Sequence, residues 1–359
     1  MKICFLGDAG HINLISWIKK IVEVYPLNNY FLFTFNDPVE NVHGVKIFKL
    51  NSPKYFKKLR YIVGISEFKR KVSNLKPDIL IAYRINSYGF MLARSGRKPA
   101  IVIAQGSDIY YPKKSTIQNF ILSYVVRKAD VVHVWADHMK TRILTFTQDE
   151  RKIFVLPKGI DLKIFNSTFE KRKDKVIRLV TNRQLRKSYN HEIVLKAISQ
   201  VIKKITNIQY IICGDGESRN YLERIVNNLG IQEYVKFYGH IKHKDLPKIL
   251  KSCDIYISMQ PSDGVSASLL EAMASGLLPI VFDNDSNKNW IKDEINGFLV
   301  SRLDVTLIKN TILKAINSPL LDEDTKKQNF KIVEKRASIY NNIQKTFKYY
   351  SSLIPGYHS

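Results

Sequence analysis

Two carboxylates stand eight positions apart, Asp263 and Glu271, in the stretch SDGVSASLLEAMASG (262–276). Small residues lie between them and an apolar, helix-forming run follows. Gly264 permits a tight turn and the close approach of a ligand. A helix that starts near Ser266 to Ser268 presents free N–H groups and the positive end of its dipole, which suits an anion such as a diphosphate. Carboxylates on both sides of that turn could accept hydrogen bonds from hydroxyl groups on either part of a bound diphosphate ester. The same residues also fit a purely local role, because Ser268-x-x-Glu271 has the form of a capping box. A second constellation, TNRQLRKSYN (181–190), places Arg183 just past an apolar run, with Lys187 or Arg186 a turn later. Guanidinium groups match phosphate oxygens in shape and charge.

Such groups need a scaffold that delivers them to one place. Short apolar runs alternate with longer amphipathic segments, which predicts an α/β chain with parallel sheets. Strands are expected at KICFLG, YFLFTF, GVKIFKL, DILIAY, AIVIAQ, DVVHVW and KIFVLP, and then at VIRLVT, IQYIICG, VKFYG, DIYISM and LPIVFD. Helical spacing is clear in EIVLKAISQVIKKI and LPKILKSC. A polar, charged break at 164–176 separates two halves, each expected to be a doubly wound domain. In such sheets ligands bind at the carboxyl ends of the strands, and a cleft between the two domains is the expected site.

The chain has 359 residues, enough for two cores, and a formal net charge of +25 from 57 Lys and Arg against 32 Asp and Glu. The basic excess is denser before residue 165. Such a field attracts anions: nucleotide phosphates, anionic lipid or nucleic acid. No apolar run is long enough for a bilayer span and MKICFLGDAG is not a signal peptide, so a cytoplasmic location is expected. Cys4, Cys213 and Cys253 lie in apolar segments without metal-type spacing and are expected to be buried thiols. Asp283-Asn284-Asp285 spells a D-x-D, but it falls in a turn after a strand, and no metal site is expected there or at the eight histidines. The segment KYFKKLRYIVGISEFKRK (54–71), with YYPKK (110–114), mixes cations with aromatic and aliphatic residues; an anionic membrane surface is the expected partner. No nucleic-acid motif accompanies the charge, and nucleic acid is not an expected partner.

Residues 263–276 resemble the E-G-x-S-x-S-L-L-E-A-M-A-x-G stretch of the retaining glycosyltransferases of family 4 (glycosyl transferases group 1), with Asp263 in place of the first Glu. The likeness continues through 278–300 and covers nearly the whole chain except about 45–80. It implies the GT-B fold, two Rossmann-like domains facing a central cleft: residues 1–168 for the acceptor, 169–332 for the nucleotide sugar, and 333–359 as a helix crossing back to the first domain. It implies transfer from a nucleotide-sugar donor, a UDP-sugar by expectation, to a hydroxyl of a glycan or lipid-linked acceptor, without a metal or other cofactor, in cell-surface polysaccharide or glycolipid synthesis. By the resemblance Arg183 and Lys187 (or Arg186) meet the donor diphosphate, Glu271 the ribose and Asp263 the donor sugar. The donor site extends to Gly264, Val265, Ser266, Ser268 and Leu269. Gly239, His240 and Ile241 stand where the family reads the base, with Tyr238 placed to stack or to pack. Gly10 in GDAG (7–10) stands where the family approaches the diphosphate from the first domain. Gly214-x-Gly216 is expected to shape a turn.

IAYRINSYGFMLARSGRKPAIVIAQGSD (81–108) resembles one subgroup of the family. Tyr83 replaces the subgroup's His and Gln105 a His found in many members; both, with Asp108, are the acceptor-side candidates. VLPKGIDLKIF (155–165) resembles the segment that closes the family's first domain, with Lys158 for the usual Asn. The departures at Gln105 and Asp263 also fit a catalytically weak sugar-nucleotide binder, and the charge alone fits a basic nucleic-acid-binding protein.

Overall fold

The computed structural model describes residues 1–51, 59–110, 116–166 and 174–356. Two compact units divide the chain: residues 1–158 with 339–359, and residues 159–338.

Unit 1 is built on seven parallel strands, β1 (Lys2–Leu6), β2 (Asn29–Thr34), β3 (Val45–Lys49), β4 (Ile79–Tyr83), β5 (Ala100–Ile103), β6 (Val131–Val134) and β7 (Ile153–Val155), in the order β3-β2-β1-β4-β5-β6-β7. Strands β4, β5 and β6 are buried along their whole length. That is why they read as unbroken apolar runs: helices cover both faces of a parallel sheet. The helices are α1 (Ile12–Val24), α2 (Arg60–Leu75), α3 (Tyr88–Ser95), α4 (Ser107–Tyr110), α5 (Thr116–Lys128) and α6 (Asp137–Leu144). Gly7 has a steric reason to be glycine, since a Cβ there would come within 2.3 Å of Leu14 Cδ2 on α1.

Unit 2 holds six parallel strands, β8 (Ile177–Thr181), β9 (Ile208–Ile212), β10 (Val235–Phe237), β11 (Ile255–Ser258), β12 (Leu278–Phe282) and β13 (Phe298–Val300), ordered β10-β9-β8-β11-β12-β13. All but β13 were expected from the sequence. Its helices are α7 (His191–Val201), α8 (Arg219–Leu229), α9 (Leu246–Lys251), α10 (Ala267–Ala274), α11 (Asp285–Lys288), α12 (Val305–Ile316) and α13 (Glu323–Ala337). In each unit the strand order reverses once, between β1 and β4 and between β8 and β11. These are the two switch points at which such folds bind ligands.

The units divide at 158/159 and 338/339 rather than at 168/169 and 332/333. Burial explains the difference. Ile160 and Phe165 are core residues of unit 2, packed in one cluster with Val333 and Ala337. Ile160 N–H donates to the Ala337 carbonyl at 2.8 Å. The segment 159–165 therefore opens the second unit instead of closing the first. Much of the break expected at 164–176 lies outside the described residues.

Helix α14 (Ile339–Ser351) returns the chain to unit 1, where it packs on α1. Tyr349 stacks on Phe154 with centroids 4.3 Å apart, and the Tyr350 hydroxyl lies 2.6 Å from His133 Nδ1. His133 Nε2 lies 2.8 Å from the Leu156 carbonyl. A carbonyl can only accept, so Nε2 carries the proton and Tyr350 donates to Nδ1. Burial pushes the His133 pKa down to about 4. Cys4, Cys213 and Cys253 are free and buried.

Candidate functional site

The switch point of unit 2 gathers the residues singled out by type and spacing. Thr181 ends β8, and the chain then runs as Asn182-Arg183-Gln184-Leu185 across the top of the sheet. Two glycines make this path possible. A Cβ on Gly214 would fall 2.1 Å from the Arg183 carbonyl, and one on Gly216 (φ +158°) 2.6 Å from the Leu185 carbonyl. Leu185 N–H donates to the Asp215 carbonyl at 3.0 Å and Ser218 N–H to the Leu185 carbonyl at 2.9 Å. The Gly214-x-Gly216 turn after β9 thus supports the arginine loop from behind.

Arg183 reaches across to the loop after β11. Its Nη2 donates to Asp263 Oδ2 at 2.5 Å and to Gln260 Oε1, and its guanidinium lies 5.0 Å from the centre of the Tyr189 ring. Burial works against the Arg183 charge, but Tyr256 and Asp263 outweigh it and push the pKa above the ordinary arginine value. Its Nε is buried and has no partner among the described residues. Asn190 Nδ2 donates to the Met259 carbonyl at 2.8 Å, which ties the two loops together, and Asn284 Nδ2, from the loop after β12, donates to the Gln260 carbonyl at 2.9 Å.

Asp263 Oδ1 accepts from Gly264 N–H at 2.9 Å, and α10 begins three residues later. Ser266 is its N-cap, with Oγ accepting from Leu269 N–H at 3.2 Å. Val265 is half-buried before the cap, and Ser268 is the second residue of the helix. The first-turn amides of Ala267 and Ser268 have no intrahelical acceptor by position. The capping box Ser268–Glu271 does not form. The helix starts early enough that Glu271 lies in its second turn, and the carboxylate turns elsewhere. Glu271 is 7% exposed. Its Oε2 accepts from Asn182 Nδ2 and its Oε1 from His243 Nε2, both at 2.9 Å. The His243 ring packs edge-on against Phe165 at 5.0 Å between centroids.

Lys187 and Arg186 are exposed on the short turn after the arginine, and neither side chain has a hydrogen bond or ion pair among the described residues. The geometry leaves the choice between them open. Gly239 adopts φ +70° after β10, close to Arg219. His240 and Tyr238 are exposed there and Ile241 is half-buried. Asp283 forms an ion pair with Lys288 at 2.9 Å, while Asp285 opens α11. Among the described residues no group of three or more His, Cys, Asp or Glu is gathered to hold a metal.

The switch point of unit 1 is built differently. Asp8 Oδ1 accepts from Gly10 N–H at 2.9 Å and Asn36 Nδ2 at 2.8 Å, which fixes the loop after β1 with Gly10 exposed. His11 caps α1 by accepting from Asn13 N–H at 3.3 Å; burial and Arg84 lower its pKa. Asp108 is 5% exposed, and both of its oxygens are engaged by backbone amides, Oδ1 by Gln105 at 2.7 Å and Oδ2 by Ile85 at 3.0 Å. Tyr83 is buried at the end of β4 beside Trp17, and burial raises its pKa. Gln105 Nε2 is buried with no partner among the described residues. Arg84 holds φ +84°, a left-handed conformation uncommon outside glycine.

Sequence reasoning missed Asn182, His243 and Gln260. Each stands beside an expected residue in space, but only the strand order β10-β9-β8-β11 brings positions 182, 243, 260 and 271 together.

Residues 163–332 match the family model for glycosyl transferases group 1, and residues 2–135 the model for glycosyl transferase 4-like proteins. Among curated relatives, the GtfA subunit of the UDP-N-acetylglucosamine–peptide N-acetylglucosaminyltransferase of Streptococcus pneumoniae is 24% identical over 249 residues, 66% of this chain and 48% of the relative. The UDP-Gal:alpha-D-GlcNAc-diphosphoundecaprenol alpha-1,3-galactosyltransferase of Escherichia coli is 27% identical over 197 residues, 52% of this chain and 50% of the relative. The chain spans about half the length of these relatives. Anabaena Alr3699/HepE, solved in complex with UDP and glucose, superposes with a TM-score of 0.79 at 17% identity, over 98% of this chain and 100% of the other. Sucrose-phosphate synthase from Thermosynechococcus elongatus gives 0.82 at 16% identity, over 98% and 99% of the two chains. The fold is that of the GT-B glycosyltransferases.

Proposed function

We propose that this chain, each of whose units matches a glycosyltransferase model, transfers a sugar with retention of configuration from a nucleotide-sugar donor to a hydroxyl group. A UDP-sugar is the favoured donor, because neighbours of the same fold were solved with UDP. The observation that carries the reading is the meeting of Arg183, Asp263 and Glu271 at the switch point of unit 2, beside the N-terminus of α10. The donor diphosphate lies against the amides of Ala267 and Ser268, with Arg183 and a cation from the Arg186–Lys187 turn on its oxygens. Glu271, pre-set by Asn182 and His243, takes the ribose hydroxyls. Asp263 takes hydroxyls of the donor sugar.

The Arg183–Asp263 pair links two of these roles. In the ligand-free arrangement the guanidinium is shared by Asp263 and Gln260. Diphosphate competes for it, and the carboxylate it leaves turns to the sugar. As the bond to the sugar breaks, negative charge grows on the diphosphate, and preorganised cations and amides there lower the barrier. A donor phosphate oxygen takes the acceptor's proton on the same face, and no metal is needed.

The acceptor is a glycan or a lipid-linked sugar, in cell-surface polysaccharide or glycolipid synthesis. The diphosphoundecaprenol named for the Escherichia coli relative supports that class. So do exposed apolar side chains on unit 1: Ile62 and Val63 on α2 are 55% and 56% exposed, and Ile117 and Phe120 on α5 are 72% and 67% exposed. Ile62 and Val63 lie within one of the basic segments expected to meet an anionic membrane, and Ile117 and Phe120 follow the other; residues 54–58 and 111–114 of those segments lie outside the described residues. Among the described residues no helix is long and apolar enough to cross a membrane.

Thermal unfolding with UDP, GDP, CMP, UMP and UDP-sugars, with and without EDTA, tests the donor. A ligand at about 100 times its dissociation constant adds about 2.7 kcal/mol of stability. A UDP shift that survives EDTA and is lost in Glu271→Ala is expected. Absence of any nucleotide shift would overturn the reading and favour a protein that binds anions without transfer.

A further inference from the structure

A second basic feature of unit 2 lies outside the switch point. A cavity of about 670 Å³ opens between α13 and the segment 288–296 that follows β12. Six cationic side chains and one carboxylate, Asp324, line it. Lys327, Lys331 and Lys335 recur every four residues and therefore share one face of α13. Lys327 is paired with Glu323 and Lys288 with Asp283. Lys292, Lys331 and Lys335 have no ion pair or hydrogen bond to their ammonium groups among the described residues. All three are exposed side chains that line one concavity, and an anion there would meet three like charges at once.

The wall between them is apolar, made by Trp290, Ile295 and Ile332. Arg336 lies 4.4 Å from the centre of the Trp290 ring and donates to the Asn289 carbonyl at 2.7 Å, so the indole is fixed in place. Trp290 is 5% exposed, and its Nε1–H is buried without an acceptor among the described residues. The volume is in the range of small-molecule sites and exceeds what an inorganic anion fills.

We propose that this cavity is a second anion site, separate from the donor crevice, for a phosphate- or diphosphate-bearing ligand whose remaining part lies against Trp290, Ile295 and Ile332. Lys292, Lys331 and Lys335 hold the phosphate. The ligand is either a lipid phosphate in an anionic bilayer or a free phosphorylated molecule. The assignment does not depend on the transferase reading.

The test compares two triple variants with the same loss of charge on the same unit. One is Lys292→Ala, Lys331→Ala, Lys335→Ala. The other is Lys203→Ala, Lys204→Ala, Lys236→Ala, at exposed positions away from the cavity. Titration calorimetry with inorganic pyrophosphate reads the free ligand; flotation with phosphatidylcholine vesicles, with or without phosphatidylglycerol, reads the lipid. Arg183→Ala separates pyrophosphate in the donor crevice from pyrophosphate in the cavity. The cavity variant is expected to lose about tenfold in affinity for one of the two probes, while the control variant keeps it and UDP binding is unchanged in both. Loss with pyrophosphate alone identifies a soluble ligand, and loss with anionic vesicles alone a lipid headgroup. Equal weakening in both triple variants would overturn the proposal in favour of diffuse charge. So would unchanged binding of both probes in the cavity variant, or pyrophosphate binding that vanishes in Arg183→Ala alone with vesicle binding intact. A missing UDP shift would bear on the transferase reading only.

Discussion

At the switch point of unit 2 Arg183 and Glu271 are held by other side chains; at that of unit 1 Asp108 and His11 are held by backbone amides. Arg183 faces Asp263, and Glu271 faces Asn182 and His243. All of these partners are side chains that can rotate away when a ligand offers something better. Asp108 instead accepts from two amides of two different loops, and His11 from the amide of Asn13. A carboxylate bonded to backbone shapes a loop, and releasing it unties the loop. One topological position thus serves in unit 2 as an exchangeable set of charges and in unit 1 as a fixed frame. Beside that frame Gln105 Nε2 is buried without a hydrogen-bond partner among the described residues and Arg84 holds φ +84°.

The sharpest way to break this contrast is to remove Arg183. Arg183→Ala is expected to lower kcat/KM by roughly 10³-fold, the scale seen when one preorganised group on a developing charge is lost. Arg183→Lys should recover only part, because an ammonium cannot match two oxygens at once. Circular dichroism should show an intact fold, since Gly214 and Gly216 support the backbone of that loop and not its side chain. A drop below tenfold would mean that the Arg186–Lys187 turn carries the charge alone.

Asp108→Ala should do the reverse. Two buried amides lose their acceptor, and at about 1–3 kcal/mol for an unsatisfied buried group unit 1 should lose roughly 3 kcal/mol in denaturant unfolding. UDP binding should be unchanged. If stability held and only transfer failed, Asp108 would belong to the acceptor site and the contrast between the two switch points would be wrong.

Acid should also separate the units, through His133. Its folded pKa is depressed to about 4 while the unfolded chain keeps the ordinary value near 6.5. Above pH 6.5 both states are neutral and the group contributes nothing to the pH dependence. Below it the unfolded state binds the extra proton, so stability falls by about 1.4 kcal/mol per pH unit until the folded state titrates near pH 4. Roughly 2 kcal/mol should be gone by pH 5. His133→Gln should flatten that slope while it leaves UDP binding in unit 2 as it was; an unchanged slope would assign the acid sensitivity elsewhere.

How much of this the sequence disclosed depends on whether the signal was local. Buried parallel strands announce themselves as apolar runs, so β1 to β12 were legible, the three-residue β7 and β10 included, and β13 was not. Arg183, Asp263 and Glu271 stand in local patterns of type and spacing. Asn182 and His243 do not; they reach Glu271 only because β8 and β10 lie on the same side of β11 in the sheet. The unit boundary was misplaced for a similar reason. Phe165 follows a strand of unit 1 in sequence, but it is buried in the core of unit 2. The capping box failed on a two-residue difference in where the helix begins, from Ser268 as cap to Ser266.

His243 offers the smallest and most discriminating effect. Its ring is packed on Phe165 and its side chain is 60% exposed, so removing it should cost the fold little. Its Nε2–H nevertheless holds one oxygen of a buried carboxylate. Without it Glu271 keeps only Asn182 as an anchor among the described residues and samples more than one orientation, so the proposed grip on a ribose is no longer pre-set. The loss of one such hydrogen bond is worth about 1 kcal/mol, so His243→Ala should raise the dissociation constant for UDP roughly fivefold, with kcat nearly unchanged. A role confined to the donor's nucleotide half predicts that split between KM and kcat, and His243→Gln, whose amide can still donate, should restore part of the affinity. Equal losses in kcat and kcat/KM would instead place His243 at the reacting sugar and move the chemical step toward the β10 side of the sheet.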